Sequence, residues 1–207
     1  MKTEHDACPN CLDLSRQLAD KDLQIQALIA QTEALAQRDS LTGVLNRRSM
    51  SELLQDELNR SYRSGHPFCF AIISLDHHKA VSEKHGAGAA DLVLRMMSDA
   101  SVKLLRILDR FGRLQEEEFG IILPGTWLEQ GGLAMARLKK TLSECDWESV
   151  APGSAVTFSA GLTSNAPGDT ADTLIKRAEK ALAQAKELGS DSIVQYEEDV
   201  PLWIPED

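Results

Sequence analysis

The chain divides by the rhythm of its apolar positions. Between about residues 11 and 38 there is no Gly or Pro, and Cys11, Leu14, Leu18, Lys21, Ile25, Leu28, Thr32 and Leu35 follow at alternating steps of three and four. That spacing is the a/d seam of a heptad, with Lys21 and Thr32 as polar breaks in it. A single helix would leave such a stripe in water, which predicts a parallel two-stranded coiled coil and hence a homodimer. The alternative is that the stripe packs on the chain's own globular part.

From Asp39 to about Tyr196 the rhythm switches repeatedly between helical and strand periods. Leu53, Leu54 and Leu58 share one face of a helix predicted over 51–62, and Gly65-His66-Pro67 breaks the chain before an apolar strand run over 68–73. Helical spacing returns over 89–105 through Leu92, Val93, Met96 and Met97. A polar turn over 114–117 between two short apolar segments predicts a β-hairpin, its second arm being 119–123. A helix over 128–142, a strand over 155–162, an amphipathic helix over 170–188 stopped by Gly189 and a last strand over 193–196 complete the series. This alternation predicts one layered α/β domain. The chain thus has three parts: 1–38, 39–196 and an acidic tail, 197–207. The tail carries Val200 and, between Pro201 and Pro205, Leu202, Trp203 and Ile204. It reads as a flexible end, with docking onto this domain or a partner as the alternative.

Composition narrows the functional classes. At 207 residues, 43% hydrophobic and 26% charged, the chain is an ordinary globular protein with room for one domain and an appendage. A net charge of -10 leaves no basic excess to neutralise phosphates, which excludes a general nucleic-acid or anionic-membrane surface while permitting a small local anion site. No apolar run reaches bilayer length and the polar start MKTEHDACPN is not a signal peptide, so no membrane insertion and a cytoplasmic location are expected. Among the cysteines, Cys69 sits in an apolar run as a buried small hydrophobe, and Cys145 has no obvious partner. Cys8 and Cys11 have a ligand-like spacing. In a parallel dimer they would supply four sulfurs to a zinc ion, with His5 as a substitute ligand; an unliganded pair or an interchain disulfide are the alternatives. His66, His77, His78 and His85 have no metal-like spacing.

Several segments of the middle part resemble the GGDEF domain of diguanylate cyclases. Asp39-Ser40-Leu41-Thr42-Gly43-Val44-Leu45-Asn46-Arg47-Arg48 is close to that family's opening D-x-L-T-G-L-x-N-R-R. Ser74-Leu75-Asp76-His77-His78-Lys79 falls where D-x-D-x-F-K is expected, and Gly112 to Phe119 falls where R-Y-G-G-D/E-E-F is expected. Ser159-Ala160-Gly161 and the segment from Ala178 to Lys186 are similar to the closing S-x-G and A-D-x-A-L-Y-x-A-K. The resemblance spans about 39 to 196. It implies a nucleotidyl-cyclase-like, mainly antiparallel sheet flanked by helices, in a protein of bacterial second-messenger signalling.

Active members of that family face one another in pairs and join two GTP molecules into cyclic di-GMP. The resemblance implies a divalent metal on two carboxylates, a glycine cradle for phosphates and a guanine pocket. Here the first carboxylate position is Ser74 and the second is Glu117, followed by Glu118. The glycines are replaced by Gln115 and Glu116, which predicts either about 1 kcal/mol or more of strain per residue or a different turn. The guanine-reading asparagine corresponds to Ser82, its aspartate partner to Asp91, a phosphate-contacting lysine to Lys186 and a following arginine to Ser190. Asp91 as a helix cap and Lys186 on a solvated face are the structural alternatives. These losses predict a protein that is not an enzyme and requires no cofactor.

A second feature is retained. Arg106-Ile107-Leu108-Asp109 has the R-x-x-D form and the spacing to Gln115 of the family's product-binding inhibitory site, and Arg137 lies where a further arginine completes it in some members. Guanidinium forks fit guanine O6 and N7, and a carboxylate accepts from its N–H groups. Arg106, Arg110, Arg113 and Arg137 also concentrate positive charge in an acidic chain. The expected function is a cyclic di-GMP receptor using Arg106, Asp109 and Arg137; a bare Arg106–Asp109 surface ion pair is the alternative at this site. Two other functions stay open: a ligand-free adaptor for an unknown protein partner, and a cyclase with residual activity through Glu117, Glu118 and Asp76.

Overall fold

The structure is a computed structural model that describes the backbone of residues 9–35 and 37–197 and the side chains of 14–28 and 37–197. Cys8, His5, the Cys11 side chain and residues 198–207 lie outside the described residues, and with them the expected zinc pair and most of the acidic tail.

One helix, α1 (Pro9–Leu35), forms a unit of its own. Its seam residues Leu14, Leu18 and Leu28 are each more than 60% exposed. The remainder is a second unit containing α2 (Arg47–Ser64), β1 (Phe68–Leu75), α3 (His78–His85), α4 (Ala87–Leu104), β2 (Arg110–Gln115), β3 (Glu118–Pro124), α5 (Leu128–Ser143), β4 (Phe158–Ser164), α6 (Ala171–Glu187) and β5 (Ile193–Tyr196). No described helix is long and apolar enough to cross a membrane.

The five strands form one sheet in the order β2-β3-β1-β4-β5, antiparallel except for the β4–β5 pair. β1 lies at the centre and all eight of its residues are buried. Strand alternation divides its side chains between two cores. Cys69, Ala71 and Ile73 pack with residues of α4 and α5 on one face, while Phe68, Phe70 and Ile72 pack with α2 and α6 on the other. The mainly antiparallel sheet flanked by helices is therefore the observed architecture.

Local chemistry sets the ends of these elements. Asn46 caps α2 by accepting from the Ser49 N–H at 2.9 Å, which starts the helix four residues earlier than apolar spacing indicates. Gly65 ends it in the left-handed region. The helix α3 has a single buried residue, Val81, and so little apolar periodicity that the sequence pattern does not reveal it. β4 begins at Phe158 rather than near 155 and extends to Ser164.

Candidate functional site

The hairpin between β2 and β3 turns through Glu116 and Glu117, with Gln115 paired to Glu118. No positive φ occurs at Gln115, Glu116 or Glu117, and the ladder shifts register between Arg113 and Gln115. The tip has thus taken another turn geometry, the second outcome foreseen for side chains at those positions. Arg113 braces it. Its Nε and Nη2 donate to the Glu116 carbonyl at 3.0 and 2.6 Å, and its Nη1 reaches the Asp39 carboxylate at 3.3 Å.

Glu118 is fully engaged. One oxygen accepts from Gln115 Nε2 at 2.6 Å and the other pairs with Lys186 Nζ at 3.3 Å. Lys186 is exposed on its helix face and is at the same time a charge partner of the hairpin. Ser74 stands opposite Glu118 in the β1–β3 register and is buried. Asp76 lies just beyond β1, and its carboxylate accepts from Thr157 Oγ1 (2.7 Å), Ser159 Oγ (2.8 Å) and the Asp191 N–H (2.8 Å). Those three donors make Asp76 a clamp joining the ends of β1, β4 and the turn before β5. Ser190 Oγ lies 2.9 Å from His77 Nε2. Ser82 is half-buried on α3 and Asp91 is exposed on α4. Asp91 does not cap α4, which begins at Ala87 after Gly86.

Among the described residues no three His, Cys, Asp or Glu side chains converge as a metal cluster. Ser74 brings no charge and Asp76 is committed to protein donors, so this donor set does not fit a magnesium held between two carboxylates.

A separate cavity of about 510 Å³ opens between the end of α4, the loop after β3 and α5. Arg106, Asp109 and Arg137 all line it, with Leu104, Leu105 and Leu133 as apolar wall. The loop between α4 and β2 is a closed turn: the Arg106 N–H donates to Asp109 Oδ2 at 2.8 Å, and the Asp109 N–H donates to the Arg106 carbonyl at 3.0 Å. Arg110 Nη1 braces that turn through the carbonyls of Ile107 and Asp109. No salt bridge joins the Arg106 guanidinium to Asp109, although its charge acts on that carboxylate. Neither the Arg106 nor the Arg137 guanidinium has a hydrogen-bond partner among the described residues. Burial raises the Asp109 pKa above its ordinary value, against the bond from the Arg106 N–H and the charges of Arg106 and Arg110. Of the four arginines grouped by the sequence, Arg113 is spent on the hairpin tip, Arg106 and Arg137 line this cavity, and Arg106 and Arg110 together line a neighbouring one.

A family model described as "Diguanylate cyclase, GGDEF domain" matches residues 36–192. The chain belongs to the GGDEF family. The diguanylate cyclase DgcP of Pseudomonas aeruginosa is 34% identical over 155 residues, covering 75% of this chain and 23% of DgcP. The chain spans between 22% and 37% of the length of the curated relatives it matches. Among solved structures, Pseudomonas aeruginosa SiaD in complex with its activator SiaC aligns with a TM-score of 0.74 and 31% identity over 89% of this chain and 72% of that one. A microbial GGDEF domain described for its interaction with cyclic di-GMP aligns with a TM-score of 0.69 and 26% identity over 78% of this chain and 99% of that one.

Sequence reasoning missed three elements of this GGDEF domain. The Asp39–Arg113 pair joins residues 74 positions apart, the Asp76 clamp joins three segments, and the Gln130 and Leu133 side of the cavity comes from α5. Only Leu133 carried a signal, as an apolar residue on a helix.

Proposed function

We propose that this GGDEF-domain protein reads cyclic di-GMP rather than making it. The observation that carries the reading is the cavity of about 510 Å³ in which two guanidiniums with no hydrogen bond or salt bridge among the described residues, Arg106 and Arg137, stand with the Asp109 carboxylate. One Asp109 oxygen is held by the Arg106 N–H, which leaves the other to accept from guanine. The volume falls within the range of small-ligand pockets. The non-catalytic half of the reading is supported by the engaged Glu118, the neutral buried Ser74 and the two carboxylate-bearing turn residues where a triphosphate would need bare backbone N–H groups.

Isothermal titration of the full chain with cyclic di-GMP and with GTP–magnesium tests both halves. Cyclic di-GMP is expected to bind, and Arg106→Ala to weaken it roughly ten- to a hundredfold, the worth of one bidentate contact at about 1–3 kcal/mol. Absence of heat with cyclic di-GMP would sink the receptor reading. Magnesium-dependent formation of cyclic di-GMP from GTP would overturn the non-catalytic one.

A second reading, a protein-binding adaptor, is supported by the exposed row on α1 and by the relative SiaD, whose structure includes its activator SiaC. It stands if neither nucleotide binds.

A further inference from the structure

The turn between α4 and β2 borders two cavities, of which the receptor reading uses one. The other, of about 430 Å³, opens between the segment around Arg38, α2, the end of α4 and the start of β2. Arg38, Arg106 and Arg110 line it, with Leu53, Val102 and Ile107 in its apolar wall. Among the described residues Asp109 is the one carboxylate in that lining, and its Oδ2 already accepts from the Arg106 N–H. Two of the three guanidiniums are held in place by the backbone. Arg38 Nη1 donates to the Gly43 carbonyl at 2.6 Å, and Arg110 Nη1 donates to the Ile107 and Asp109 carbonyls at 3.0 and 3.1 Å. A guanidinium carries five N–H donors, so each of these is oriented through one nitrogen and keeps Nε and Nη2 to offer. Among the described residues no hydrogen bond or salt bridge takes up those atoms.

The chemistry of this lining selects a class of ligand. Three guanidiniums against one carboxylate concentrate positive charge in a chain of net charge -10, which draws an anion to this place. Arginine forks pair with phosphate oxygens two bonds at a time, and they shed water more easily than an ammonium does. Beside them Val102 and Ile107 are 53% and 93% exposed and belong to neither core. Cationic forks next to an aliphatic wall suit a molecule with a polyphosphate at one end and a flat ring at the other. A nucleoside polyphosphate has that build, and the volume is that of a small-ligand pocket.

We propose that this second cavity is a subsite for a nucleoside polyphosphate, with the phosphates on Arg38 and Arg110 and the base on Val102 and Ile107. Arg106 lines both cavities. One guanidinium presents its fork to one of them at a time, so an occupant here draws Arg106 away from the cyclic di-GMP cavity and the two ligands compete. Competition rests on the receptor reading; the subsite does not.

The test follows amide resonances of the full chain with ATP, and separately with inorganic pyrophosphate, in EDTA so that no magnesium is present. ATP serves because the aliphatic wall carries no group that tells one base from another. It is expected to shift residues 38, 102 and 105–111 and to leave Ser74, Ser82 and Lys186 in place. Arg38→Gln and, at an exposed position, Val102→Glu are each expected to weaken it roughly tenfold in a spectrum otherwise unchanged. No shift at those residues, larger shifts at Ser74, Ser82 and Lys186, or binding indifferent to both substitutions would overturn the subsite. Pyrophosphate is expected to shift the same residues with weaker affinity; affinity equal to that of ATP would overturn the nucleoside assignment and keep a site for free polyphosphate. Calorimetry then reads the coupling: saturating ATP is expected to weaken cyclic di-GMP severalfold in the wild type and less in Arg38→Gln. A cyclic di-GMP affinity unmoved by ATP would overturn competition. Shifts with ATP but no calorimetric binding of cyclic di-GMP would remove the receptor reading and competition together and leave the subsite intact.

Discussion

Asp109 answers to folding and to ligand with opposite requirements. Burial raises its pKa above 3.8, so the folded state holds the proton more tightly than the unfolded chain. Stability is therefore lost as pH rises through the window between 3.8 and the raised folded value, and above it the ionised carboxylate is a standing cost. Asp109→Asn keeps an acceptor for the Arg106 N–H and removes that cost. Urea unfolding at pH 7 is expected to show it at least as stable as wild type, with the advantage gone at pH 3, while calorimetry shows weaker cyclic di-GMP binding. Asp39 has the reverse sign. Burial pushes its pKa up, but the Thr42 hydrogen bonds and Arg113 together hold it below 3.8. Its contribution is present above 3.8 and is lost as pH falls through the lower folded value, so Asp39→Asn should destabilise at pH 7 and converge on wild type in acid. Burial also pushes the Cys69 thiol up to about 12, whereas Cys145 is half-buried and only raised. With Cys8 and Cys11 changed to Ser, maleimide at pH 8 should label Cys145 long before Cys69, as mass spectrometry of the peptides would show.

Packing of whole elements turns on a few contacts that composition does not display. Gly161 in β4 lies beneath α6 so closely that a methyl group there would meet the Ala178 carbonyl and the Leu182 N–H. Those atoms are helix backbone and have no rotamer to escape into. Gly161→Ala is therefore expected to cost on the order of 3 kcal/mol, the upper end for overpacking, read as a lower urea midpoint. The β2–β3 hairpin makes the contrasting case. Side chains at two positions of its tip call for either strain or a different turn, and a register shift with the Arg113 bonds to the Glu116 carbonyl supplies the different turn without positive φ. Turn geometry can adapt because a tip has solvent on one side; a glycine buried under a helix has nowhere to move.

At the scale of the molecule, α1 carries a row of exposed apolar side chains. Leu18 and Ile25 are 61% and 53% exposed. If α1 pairs with a second copy, Leu18→Asp with Ile25→Asp should convert a dimer into a monomer in sedimentation, with the near-ultraviolet spectrum of the folded domain unchanged. A dimer that persists would place the self-association elsewhere.

Much of the architecture was already determined by sequence, because strand and helix periods are local and the R-x-x-D loop closes on itself through bonds three residues apart. The short helix α3 was not, since one buried residue gives no period to read. The tertiary structure alone decided how the charges are shared out. Arg113 goes to Asp39 and the hairpin tip, Lys186 goes to Glu118, and Asp76 holds three segments, while Arg106 and Arg137 line one cavity with no hydrogen bond or salt bridge among the described residues. The physical reason is range. Hydrophobic periodicity is written along a few neighbouring residues, but whether a charge is satisfied depends on which distant strand or helix the fold brings within about 3 Å of it.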